Sequence, residues 1–185
     1  MLHCTAQKNM VLSLQNNIKQ EGQIIVSRKL VAYFSATGTT ARLAETLAEA
    51  IGADIFEIEP EVPYTQADLN WQDSASRSSI EMKNPSSRPA VTSRRDNMAD
   101  YDTLYVGFPI WWYIAPTIIN TFLESYDLSG KTIIPFATSG GSSMGKTNEA
   151  LASSCKGATL LQGRVFRSNA HNAELAAWAD ELENR

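Results

Sequence analysis

The chain has 185 residues, 43% hydrophobic and 19% charged, with 16 basic against 20 acidic side chains and a net charge of −4. That length suits one domain with a real core, and mild acidity speaks against a nucleic-acid binder, which carries a basic face. No apolar run approaches the roughly 20 residues of a membrane span, and Cys4, Cys155, His3 and His171 show no metal-ligand spacing, so the cysteines read as free thiols of a reducing, cytoplasmic compartment.

Residues 1–28 do not match the rest. Their longest apolar runs, Met10-Val11-Leu12 and Ile24-Ile25-Val26, fall short of the about 7–15 residues of a secretory leader. The segment reads as an N-terminal extension, with a loose helix over 11–20. The domain proper is expected over 29–185.

Leu30-Val31-Ala32-Tyr33-Phe34 is short and rich in β-formers, the pattern of a central parallel strand. It runs into Ser35-Ala36-Thr37-Gly38-Thr39-Thr40 and then a helix over 41–51. Leu43, Leu47, Ala50 and Ile51 share one face of that helix, and Gly52 stops it. Four hydroxyls in six residues exceed the needs of one helix cap. A strand–turn–helix joint also aims N–H groups and the positive end of the helix dipole at one point, which suits a phosphate dianion. With no lysine or arginine in the turn, neutral donors would do most of the holding.

A second strand is expected over 53–58, ended by Pro60 and Pro63. Residues 61–100 are rich in Ser, Arg, Asn, Asp and Pro, and read as a long insert with short helices near 66–71, 76–82 and 94–98. Tyr64 and Trp71 read as anchors of this insert. Arg88, Arg94 and Arg95 read as a solvated face. A third strand covers 103–108, followed by Pro109-Ile110-Trp111-Trp112-Tyr113, a helix opened by Pro116, and a turn at Asp127-Leu128-Ser129-Gly130. A fourth strand covers 132–137 and leads into Thr138-Ser139-Gly140-Gly141-Ser142-Ser143-Met144-Gly145. A helix over 148–155, a fifth strand over 158–166 bent at Gly163, and a last helix capped by Asn169 or Asn172 complete the chain. Leu175, Trp178, Ala179 and Leu182 form the stripe of that last helix.

Alternating strands and helices predict an α/β fold: a doubly wound, five-stranded parallel sheet of order 2-1-3-4-5 with helices on both faces. The ligand of such a sheet lies at the strand C-termini. Three loops leave that edge: the Ser/Thr loop, the Trp-Trp loop and the Gly-Gly-Ser loop.

Ser35-x-Thr37-Gly38-x-Thr40 after a first strand resembles the FMN-phosphate loop of the flavodoxin family, and the likeness continues in order from Lys29 to the C-terminus. The resemblance implies bound FMN. It would be held by Ser35, Thr37, Gly38, Thr39 and Thr40, by Pro109, Ile110, Trp111 and Trp112, and by Thr138, Ser139, Gly140, Gly141, Ser142 and Gly145. Trp111 and Trp112 compete equally for the place beside the flat ring, since three consecutive side chains cannot all face it. Pro109-x-Trp111-Trp112 is also similar to the loop of flavin-dependent NAD(P)H:quinone reductases. The implied function is electron transfer, with FMN-dependent oxidation of NAD(P)H as the alternative. Two departures favour that alternative: no glycine lies between Phe108 and Tyr126, and the acidity is mild. NAD(P)H or redox proteins are the implied partners, and monomer and homodimer both stay open.

Gly140-Gly141-Ser142-Ser143-Met144-Gly145-Lys146-Thr147 matches the nucleotide-binding P-loop pattern letter for letter. A nucleotide-binding enzyme is therefore a remote alternative, against which stands the lack of a later strand ending in a magnesium-binding aspartate. A domain of this shape that binds only protein partners is a third.

Overall fold

The computed structural model describes residues 28–183. Apart from Arg28, the expected N-terminal extension and its loose helix lie outside the described residues. Five strand positions form one parallel sheet in the order β2-β1-β3-β4-β5, as the alternation predicts. They are β1 Lys29–Tyr33, β2 Asp54–Glu57, β3 Thr103–Pro109, β4 Thr132–Thr138, and a fifth position shared by β5 Thr159–Leu160 and β6 Arg164–Phe166.

Strand β1 shows why its sequence is continuously apolar. Leu30, Ala32 and Phe34 enter one core, and Val31 and Tyr33 enter the other. A strand covered on both faces has no side left for polar residues. The Val31 side is closed by α1, Thr39–Ile51, and by the last helix, α5, Asn172–Glu183. Leu43, Ala44, Leu47 and Ala48 come from α1, and Leu175, Trp178 and Ala179 from α5. The Leu30 side is closed by α3, Ile118–Glu124, through Ile118, Ile119, Phe122 and Leu123, and by α4, Thr147–Ala152, through Leu151. Gly52 ends α1 as expected, at φ 63°, donating its N–H to the carbonyls of Ala48 and Glu49.

The fifth strand is interrupted where a bend was expected. Ile133 pairs with Leu160 and Phe136 with Arg164, so three steps along β4 face four along its neighbour. One extra residue is thereby expelled from the ladder, as in a β-bulge. Asn148 repairs the gap: its Nδ2 donates to the Leu161 carbonyl at 2.7 Å, and its Oδ1 accepts the Gly163 N–H at 3.3 Å.

The insert between β2 and β3 contains α2, Arg77–Lys83, and a short 3₁₀ turn, Met98–Asp100. The helix expected over 66–71 is a set of turns instead. Asp68 accepts from the Thr65 hydroxyl and N–H, a side-chain turn that competes with helix formation. Two of the three arginines expected on a solvated face are engaged. Arg88 forks onto both carboxylate oxygens of Glu124 at 2.8 and 2.9 Å and ties the insert to α3. Arg95 joins Arg28 and the Tyr101 hydroxyl around Asp54, at the opposite end of the sheet from the loops. The Tyr101 hydrogen bond is the largest influence holding the Asp54 carboxyl below its usual range. Arg94, 70% exposed, is the one that matches the expectation.

Replacing Asn148 by Ala leaves the Leu161 carbonyl and Gly163 N–H without these partners beside the core. The expected cost is about 1–3 kcal/mol, read as a lower urea midpoint at unchanged slope.

Candidate functional site

All strands run the same way, so the loops after β1, β3 and β4 emerge at one edge. A cleft of about 530 Å³ opens there. Its walls include Thr37, Thr39 and Thr40 from the first loop, Pro109 to Tyr113 from the second, and Thr138 and Ser142 from the third. Leu69, Trp71 and Ser78 of the insert complete it.

The first loop is open to an anion. Gly38 precedes α1 at φ 79°, and no side chain caps the helix. The N–H groups of the first turn therefore lack the partner that a cap would supply. No acidic residue lies in that turn. The Ser35 hydroxyl oxygen is buried without a hydrogen-bond partner. The Thr40 and Thr138 hydroxyls lie 2.8 Å apart and join the first and third loops. One such bond uses one hydroxyl hydrogen and leaves the other to donate.

Arg42 is a cation that the sequence pattern did not bring to the turn. Its Nη1 lies 3.8 Å from where a Cβ on Gly38 would stand, so the guanidinium turns back over the loop. It has no carboxylate partner among the described residues. One turn of helix separates Arg42 from Gly38, and that i to i+4 spacing was the signal available.

The second loop is a tight reversal. Trp111 N–H donates to the Ile114 carbonyl at 3.0 Å, and Ile114 N–H donates to the Trp111 carbonyl at 3.1 Å. Trp112 and Tyr113, the two central residues, have φ of 45° and 69°. Such a two-residue turn normally takes Asn-Gly or Gly-Gly, because positive φ crowds a Cβ. Here aromatic residues occupy the place where glycine was missing from the sequence. Trp111 turns inward and meets the edges of Phe34 and Tyr64, with ring centroids at 5.7 and 5.3 Å. Trp112 and Tyr113 stay 42% and 68% exposed.

The third loop divides its residues between the cleft and its own scaffolding. Thr138 and Ser142 line the cleft. The Ser139 hydroxyl accepts the N–H groups of Gly141 at 3.1 Å and Ser142 at 2.6 Å. Gly140 and Gly141 have open space where a Cβ would be. Gly145 does not face the cleft: a Cβ on it would lie 2.2 Å from the Tyr113 carbonyl oxygen, so it lets the third loop press against the second. The P-loop pattern fails on the same geometry. The Gly145 N–H goes to the Ser143 hydroxyl, Met144 is buried, and Thr147 is 0% exposed. A nucleotide-phosphate loop needs those N–H groups open and that threonine at a metal.

Tyr64 and Trp71, grouped together in the sequence, do different things. Tyr64 anchors the insert: its ring packs on Phe34 and Trp111, its hydroxyl donates to Glu81 at 2.6 Å, and the Arg77 guanidinium covers it at 4.0 Å. Burial, with Glu81 beside it, holds the Tyr64 phenol well above its ordinary value. Trp71 is 71% exposed and anchors nothing of that kind; it stands in the cleft wall. Leu69, Trp71 and Ser78 were not expected here, since the insert has no regular pattern to place them.

A doubly wound parallel sheet of order β2-β1-β3-β4-β5, with an uncapped helix start beside an aromatic cleft at its loop edge, has the flavodoxin-like α/β architecture. The sequence profile described as Flavodoxin matches residues 28–182, and the chain belongs to the flavodoxin family. A search of curated proteins finds no match. Among solved structures, a protein assigned as a flavoprotein from Bacteroides eggerthii is 48% identical, with a TM-score of 0.81 over 85% of this chain and 98% of that one. One assigned likewise from Bacteroides uniformis is 51% identical, at 0.78 over 83% and 98%. A Lactobacillus acidophilus flavoprotein, solved in complex with FMN, is 21% identical, at 0.61 over 83% and 99%, which is a likeness of fold.

Tyr113→Gly should relieve the αL cost at little loss of packing, since the side chain is mostly exposed. The variant is expected to unfold about 1 kcal/mol later than the parent in a denaturant titration.

Proposed function

We propose that the cleft binds FMN and that the protein is a flavodoxin-like redox protein working in electron transfer. The observation that carries this reading is the uncapped, acid-free start of α1 opening directly into an aromatic-walled cleft. The residues present fit the group. The N–H groups of the first turn, the hydroxyls of Ser35, Thr37, Thr39 and Thr40, and the Arg42 guanidinium suit its phosphate. Thr37 and Thr39 are already close, with hydroxyl oxygens 3.4 Å apart. Trp112 is the better candidate for the ring face, because Trp111 is committed to Phe34 and Tyr64. Pro109, Ile110, Thr138 and Ser142 would border the ring, and Ser139, Gly140 and Gly141 would shape the loop beneath it. When bound, FMN supplies reversible acceptance of electrons or hydride by its ring system. The protein's part is to hold the phosphate, wall off one side of the ring and leave an approach open. Among the described residues lining the cleft none is charged, so backbone dipoles and stacking would dominate the tuning of the ring.

The purified full-length protein is expected to show the two visible bands of oxidised flavin, or to gain them on adding FMN. Gly38→Asp places bulk and negative charge at a φ of 79°, and should abolish FMN binding while far-UV circular dichroism stays unchanged. A variant that stays yellow would rule out this phosphate seat.

A second reading, an FMN-dependent NAD(P)H oxidoreductase similar to quinone reductases, is favoured by the exposure of Trp112 and Tyr113 at the open cleft mouth. Stopped-flow mixing with NADH and NADPH separates the two. Rapid bleaching of the flavin marks the reductase, and an unchanged spectrum marks the carrier.

A further inference from the structure

The core beneath α1 and α5 is left open at the end of the sheet opposite the cleft. Lys29, Thr103, Thr132 and Thr159 stand first in β1, β3, β4 and β5 and pair in one register row. Two residues further along, Val31, Tyr105 and Ile134 belong to that core and Leu161 packs on it, so the whole row faces the same side. Between the three threonines and the end of α5 lies a cavity of about 320 Å³. Ile134, Leu161 and Leu182 give it an apolar wall, and the two leucines are only partly buried.

The lining narrows the occupant. Glu183 is its single charged residue among those described, and the Lys29 ammonium already pairs with that carboxylate. An ion therefore finds no counter-charge here. The threonine hydroxyls make no hydrogen bond to another described residue. Apolar wall and open hydroxyls together suit an extended, aliphatic stretch of chain: its side chains cover the wall, and its backbone N–H and carbonyl groups meet the hydroxyls.

Such a stretch lies within reach. β1 begins at Lys29, so the chain that enters it arrives at this end. The Arg28 carbonyl accepts the N–H groups of Asp102 at 3.0 Å and Thr103 at 3.4 Å, which keeps the entering chain on the β3 side of β1, toward the cavity. Just ahead stands Ile24-Ile25-Val26, an apolar run between polar Gln23 and Ser27. Neighbouring strands are about 4.8 Å apart, which puts β4 about 10 Å and β5 about 14 Å from β1. Extended chain covers about 3.3 Å per residue, so Val26 reaches about 10 Å from Lys29 and Ile24 about 17 Å. The run spans the mouth of the cavity from β4 to β5.

We propose that Ile24-Ile25-Val26 docks in this cavity and completes the core beneath α1 and α5, which makes the segment ahead of β1 a working part of the domain. The proposal is independent of flavin binding.

The test uses the full-length chain carrying Cys4→Ser, which removes the segment's own thiol. Gln23→Cys is combined either with Gln162→Cys in the cavity lining or with Ala99→Cys outside it. Ala99 is exposed and adjoins Asp100, whose carboxylate holds Arg28 at 3.0 Å, so it too lies near the root of the segment. Under mild oxidation the Gln162 pair should form its intrachain disulfide at least tenfold faster than the Ala99 pair, and adding Ile25→Asp should erase the difference. Without the added cysteines, Ile25→Asp should lower the thermal midpoint by about 3–8 °C. Equal disulfide rates in the two pairs overturn the docking, as does an unchanged midpoint. A disulfide that links two chains overturns it as well, because the cavity would then hold the segment of a second copy.

Discussion

Parallel strands buried on both faces release their chain only at their ends, and that constraint governs this molecule. β1 gives alternate residues to two cores, so neither face is left for a ligand. The polar chemistry collects at the C-terminal edge, where three loops leave in the same direction. The 2.8 Å hydrogen bond between Thr40 and Thr138 joins two of those loops although the residues are far apart in sequence. The α1 dipole has its positive end at the same place, because the helix must start where β1 stops.

The loops differ in how they obtain their shape. The first relies on glycine at a left-handed position and leaves the helix start uncapped. The second forces Trp112 and Tyr113 into positive φ, at a cost of about 1–3 kcal/mol per residue. Neighbours hold that strain in place: Trp111 is packed against Phe34 and Tyr64 on one side, and Gly145 approaches the Tyr113 carbonyl on the other. The third loop spends the Ser139 and Ser143 hydroxyls on its own backbone, which is why a sequence matching a P-loop letter for letter lacks the open amides of one.

The insert turns an open sheet edge into a walled cleft. Its order comes from a few strong attachments rather than from periodic burial. Tyr64 enters the aromatic cluster under the second loop, Arg88 forks onto Glu124 of α3, and the Glu124 carboxyl is held below its usual range mainly by that arginine. Ser154 adds a further donor to Glu124 at 2.6 Å, and Asn120 donates to both the Ser154 hydroxyl and the Ala150 carbonyl, so the same network reaches α4. One side of the cleft is therefore built from residues with no regular spacing at all.

The amino-acid sequence alone determined the strand order, the sheet edge where three loops meet and the hydroxyl-rich turn that opens α1. Each of these follows from local signals: apolar runs the length of a strand, glycine at a helix end, hydroxyls clustered in one turn. The fold alone decided which tryptophan turns inward, that Arg42 folds back over Gly38, and that Trp71 and Ser78 stand in the cleft wall. Those outcomes depend on contacts between segments tens of residues apart, such as Tyr64 with Trp111 and Arg88 with Glu124. Side-chain direction in a loop is set by whichever distant surface packs against it, and no local pattern in the chain encodes that surface.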